Sequence, residues 1–150
     1  MSNLDVLARE LNAVLHTETR SLLQHVETEA QPYYAPADYR LWKMLRAMRH
    51  SDDEHAQRLS SLLAELELPE RPGTFDLSVA GFHYVDLRTL LPKLVDEKRR
   101  QVARYERALE AAKDWRQVTV ELAALLTENR EQLGQLSAHL RGQRGQKAGA

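Results

Sequence analysis

The sequence has no cysteine, which excludes disulfides, thiolate chemistry, iron–sulfur clusters and cysteine-type zinc sites. Aromatic residues are scarce at 6%, and no long apolar run occurs, so neither a basic-aromatic nucleic-acid surface nor a membrane-inserted helix is expected. An excess of one charge is missing as well: 21 Lys and Arg stand against 22 Asp and Glu, for a net charge of -1. No whole-chain field therefore favours nucleic acid or an anionic bilayer. Residues Met1 to Asp5 open directly into a charged amphipathic run, without the basic start and apolar core of a secretory signal, which gives a cytoplasmic expectation. Gly-rich phosphate loops and serine nucleophile elbows are also absent. What is present fits one ordinary domain: 150 residues, 43% apolar and 29% charged, the balance of slender elements with much solvated face.

Glycine and proline disturb helix interiors, so their placement divides the chain. Residues 3–31 contain neither and carry Leu4, Leu7, Leu11, Val14, Leu15, Leu22 and Val26 at three- and four-residue spacing, which predicts one long first helix. A short connection over residues 31–37 precedes a second helix from about Ala37 to Leu68. Residues 69–85 hold Pro69, Pro72, Gly73 and Gly81 without helical period and read as a long crossover. Asp86 or Thr89 caps a third helix running to about Lys113, with Pro92 tolerable in or just after its first turn. The fourth spans about Gln117 to Leu140, leaving residues 141–150 as a disordered polar tail. The expected fold is all-α: residues 1–140 form an antiparallel four-helix bundle with one long crossover between the second and third helices, a recurring bundle connectivity.

Ligand and cofactor sites in such bundles are built from side chains that project inward, so polar residues on the apolar stripes are the informative ones. On the first helix, Leu4, Leu7, Leu11 and Val14 lead to Glu18, then to Ser21, Leu22 and His25. On the second, Leu41, Leu45 and Met48 lead to Asp52 and His55, then Leu59 and Leu62. With Glu18 and the string Asp52-Asp53-Glu54-His55-Ala56, the chain resembles the ferritin-like superfamily, which includes bacterioferritins and rubrerythrins. Glu18 matches that family's first-helix ligand, and Asp52 with His55 matches its Glu-x-x-His, with Asp in place of Glu. The resemblance implies a di-iron centre, or another divalent transition metal, in a protein that handles iron or acts as an oxidoreductase.

A complete centre needs a matching set from the second half, and two assignments compete. Motif spacing supplies Glu97, Glu128 and Glu131 beside Glu18, Asp52 and His55. Stripe geometry supplies Lys98 on the third helix and Asn129 flanked by Gln132 on the fourth, because Glu97 lies about 100° from Lys98 and Glu131 about 200° from Asn129. Charge accounting favours the stripes. Five inward carboxylates require two divalent cations or extensive protonation, whereas Glu18 and Asp52 are balanced by Lys98 and a protonated His55 with nothing added. The expected polar centre is therefore Glu18, Asp52, His55, Lys98, Asn129 and Gln132, a degenerate metal site with no cofactor. Two classes remain open, a binding or self-associating structural bundle and a metal-dependent oxidoreductase or iron handler, and no catalytic residue is assigned.

The other polar and aromatic residues have plainer roles. His16, His50 and His139 read as surface residues and His25 as a core-edge residue or a second pole of the polar channel, while Trp42, Tyr105 and Trp115 read as packing. The runs Asp96–Arg100 and Glu128–Glu131 read as solvated faces. Tyr33, Tyr34, Phe75, Phe82 and Tyr84 fall off the stripes, so they are expected to close the bundle ends or to form a homodimer contact.

Overall fold

The computed structural model describes residues 2–28, 32, 34–71 and 86–148. Within them the chain forms α1 (Asn3–Thr19), α2 (Leu22–Thr28), α3 (Tyr39–Glu65, entered through a 3-10 turn at Pro36–Asp38), α4 (Leu87–Ala111) and α5 (Arg116–Ala148). With α1 and α2 sharing one position, these make an all-α four-helix bundle: α1 packs on α3 and α4, and α4 packs on α5. The long crossover lies between α3 and α4; its residues 72–85, with Phe75, Phe82 and Tyr84, fall outside the described residues, as does Tyr33. Its described start is pinned to α1, where Asn12 donates to the Pro69 carbonyl at 3.0 Å and accepts from Arg71 N at 2.7 Å.

Two boundaries differ from the sequence-based expectation. The first helix is interrupted at Arg20–Ser21, and Arg20 leaves helical geometry at φ -119°, ψ 28°. Threonine hydroxyls that bond back to the preceding turn weaken a helix end, and both Thr17 and Thr19 do so, onto Val14 O and Leu15 O. The following turn is then restarted by caps: Ser21 Oγ accepts from Gln24 N at 3.0 Å, and both Glu97 carboxylate oxygens accept from Leu22 N at 2.8 and 2.9 Å.

The second difference is at the other terminus, where α5 continues eight residues past Leu140 to Ala148 instead of giving way to a polar tail. Arg, Gln, Lys and Ala are good helix formers, and Gly142 and Gly145 each cost only about 1 kcal/mol against alanine. A tertiary bond also engages this extension. Pro92 lies inside α4 and has no N–H for the carbonyl four residues earlier, and that carbonyl, Arg88 O, accepts from Gln143 Nε2 at 2.9 Å. Gln143→Ala should therefore destabilise the protein by about 0.5–1.5 kcal/mol in urea unfolding. The loss should shrink in a Pro92→Ala background, where the helix supplies its own donor.

The apolar interior is divided in two. One cluster joins Leu7, Leu11 and Leu15 to Leu59, Val102 and Leu122; the other joins Leu22 and Val26 to Leu45, Leu91, Val95 and Leu136. Between them every bundle helix turns a buried polar residue inward: Glu18, Asp52 and His55, Lys98 and Gln101, Asn129 and Gln132. The candidate site is this polar layer.

Of the off-stripe aromatics, Tyr34 is described. It stacks on Trp42 at 5.7 Å and Tyr39 at 6.4 Å, with Lys43 Nζ 5.6 Å from the Tyr39 ring. Tyr34 and Tyr39 stay 39% and 52% exposed, so this ladder leaves rings uncovered at one end of the bundle. His16 is partly covered, with Nε2 2.7 Å from Arg71 O, while His25 is buried and His50 and His139 are exposed.

Candidate functional site: a polar layer across the bundle

Lys98 occupies the middle of the layer, 5% exposed. Its ammonium donates to Gln101 Oε1 at 2.5 Å, Gln132 Oε1 at 2.6 Å and Asn129 Oδ1 at 3.1 Å. An ammonium has three hydrogens, and three amide oxygens take them. Asp52 Oδ1 is 3.8 Å from Lys98 Nζ, close enough for charge attraction but too far for a hydrogen bond.

Glu18 is fully buried and is held differently. Its Oε1 accepts from the Tyr105 hydroxyl at 2.6 Å and from Asn129 Nδ2 at 3.3 Å, and lies 3.3 Å from His55 Nδ1. Burial alone raises a carboxyl, but the adjacent His55, the positive Lys98 and the Tyr105 hydroxyl outweigh it and keep Glu18 below its ordinary value. Asp52 shows the opposite outcome. Burial dominates, Glu18 adds repulsion, and Lys98 offsets them only in part, so Asp52 is pushed up to about 7. Of two acids in one layer, Glu18 carries the settled negative charge.

His55 links this interior to the surface. Its Nδ1 faces Glu18 and, at 3.8 Å, Asp52; its Nε2 is 2.9 Å from Glu128 Oε2 on α5. Burial works against the imidazolium, yet the three surrounding carboxylates prevail and His55 stays above its ordinary value. Glu128 is half-exposed and also pairs with Arg58 at 3.2 Å, so within a mostly solvated run it is the residue that reaches the polar layer. Tyr105 likewise does more than pack: burial and the neighbouring Glu18 push its hydroxyl up, and it remains a neutral donor.

Of the motif-spacing residues, Glu128 meets His55, whereas Glu97 and Glu131 are not brought to Glu18, Asp52 and His55. Glu97 turns to the α2 N-terminus, and Glu131 is exposed. Glu97 is still no ordinary surface acid: burial raises it while the Leu22 N–H pulls the other way. Glu97→Ala should remove the cap and cost about 1–2 kcal/mol in urea unfolding, which replaces the nearly silent behaviour expected of a solvated face. Gln101 was not legible as a site residue, although it stands one turn beyond Lys98 on the same face.

No family model matches the sequence, and no curated protein matches it either. A solved structure does: a ferritin-like, diiron-carboxylate protein from Bacillus anthracis str. Ames aligns with a TM-score of 0.77, covering 93% of this chain and 99% of that one. The fold is ferritin-like. At 17% identity the likeness establishes the architecture and leaves the chemistry to be judged on this chain's own residues.

Judged so, the ferritin-like layer holds a partial cluster. Glu18, Asp52 and His55 offer three ligand atoms within 4.8 Å of one another. The remaining inward positions carry Lys98, Asn129 and Gln132, an ammonium and two neutral amides, where a pair of metal ions needs further carboxylates. A fixed positive charge 3.8 Å from Asp52 repels a second cation and fills its space. Among the described residues, the donor set does not fit a complete di-iron centre.

Proposed function

We propose that this chain is a cytoplasmic ferritin-like bundle whose polar layer is balanced without metal, and that it acts as a binding or structural, self-associating protein. The observation that carries this reading is the Lys98 ammonium seated among Gln101, Asn129 and Gln132 oxygens, at the stripe position where a metal centre requires an acid. With Asp52 holding its proton up to about pH 7, Lys98 and a protonated His55 balance the buried Glu18 and the Glu128 carboxylate on the other side of the imidazole, which removes the electrostatic demand for a cation. The exposed Tyr34 and Tyr39 rings support a homodimeric contact. The near-zero net charge supports the absence of a nucleic-acid partner. No described helix is long and apolar enough to cross a membrane.

One observation favours a second reading. The Glu18, Asp52 and His55 cluster is a ligand set for a divalent cation, and on that basis the chain would be an iron handler or oxidoreductase. Metal analysis of protein purified without chelator separates the two. The first reading expects metal far below one ion per chain together with a dimer in sedimentation velocity; stoichiometric iron or another transition metal supports the second.

A further inference from the structure

Beside the polar layer lies a cavity of about 10 Å³ lined by Ser21, Asp52, Glu97, Lys98 and Gln101, with one leucine from each of α2, α3, α4 and α5 closing its walls. That volume is near the minimum that admits one water molecule. Asp52 is 1% exposed, and its Oδ1 receives no hydrogen bond among the described residues. The nearest cation cannot supply one, because all three Lys98 hydrogens are directed to amide oxygens. Ser21 Oγ accepts from Gln24 N and keeps its own proton to give.

We propose that this cavity is a built-in site for a single water molecule, which donates to Asp52 Oδ1 and joins the α2 cap at Ser21 and Glu97 to the polar layer. The surroundings select a neutral ligand. Lys98 disfavours a cation, Asp52 and Glu97 disfavour an anion, and the volume excludes anything larger than one heavy atom. A polar cavity of this size with three or more partners holds its water, whereas an apolar one stays dry. The site explains how an acid with an unanswered oxygen is tolerated between two apolar clusters. It rests on the metal-free reading of the layer, since a cation on Glu18, Asp52 and His55 would compete for the same oxygen.

A high-resolution crystal structure of the full chain tests the proposal, with anomalous data collected at the iron and zinc edges and a parallel thallium soak. The expected result is one density peak within hydrogen-bond reach of Asp52 Oδ1, without anomalous signal in any data set. A well-ordered map with an empty cavity, or with Asp52 Oδ1 bonded directly to a protein donor, overturns the water site and leaves the metal-free reading standing. A thallium peak there replaces water by a monovalent cation and also overturns it. An iron or zinc peak among Glu18, Asp52 and His55 instead overturns the reading beneath it.

Discussion

Lys98→Met should lower stability by about 3–5 kcal/mol, the cost of leaving buried charge without its partner. The substitution keeps most of the apolar stem and deletes the ammonium, so packing changes little while Gln101, Asn129 and Gln132 each lose a donor and Glu18 and Asp52 lose their fixed cation. For a chain of this length the loss amounts to about 6–20 °C in Tm. Arg99→Met, one residue along on the exposed face, and Glu131→Gln should both be nearly silent. Thermal unfolding of the three variants at one pH checks the ordering. A Lys98→Met protein as stable as the parent would show that the ammonium is not what balances the layer.

Stability should also fall from weakly acidic to mildly alkaline pH. Asp52 is raised from 3.8 to about 7, so between those values the folded state binds the proton more tightly than the unfolded chain, and stability declines as pH rises through that window. His55 is raised above 6.5; its contribution is full below that pH and is lost as pH climbs through the folded value. Glu18 is lowered from 4.5, so its contribution is present above that pH and disappears on further acidification. The three together place the optimum between about pH 4.5 and 6, with a loss on the order of a few kcal/mol by pH 8. Asp52→Asn should remove most of the slope below pH 7 and narrow the gap at pH 8. A Tm that stays flat or rises from pH 5 to 8 in the parent would contradict the assignment of a raised Asp52.

The parts of this molecule legible in the sequence are those set by periodicity. Leu11, Val14, Met48, Leu59, Val95, Val102, Leu126 and Leu136 mark four stripes, and a stripe fixes which face of a helix turns inward whatever the tertiary detail. The inward polar residues follow from the same rule. What periodicity does not carry is tertiary capping. The restart of the helix after Arg20–Ser21 rests on Glu97, 75 positions from the Leu22 N–H that it accepts, and the helical extension after Leu140 engages a carbonyl orphaned by Pro92 on another helix. Side-chain partners inside the layer are equally hidden: Tyr105 reads as a packed ring until its hydroxyl is found on Glu18, and Gln101 reads as an ordinary polar residue until it faces Lys98.

The central claim is that Lys98 does the electrostatic work that a metal pair does in a complete di-iron bundle. Thermal unfolding of the parent protein after dialysis against chelator, with and without added Fe²⁺ under anaerobic conditions, tests it most directly. The account predicts the same Tm in both samples, within about 1 °C, a change worth no more than about 0.5 kcal/mol. A clear rise with Fe²⁺ that vanishes in Asp52→Asn would contradict it.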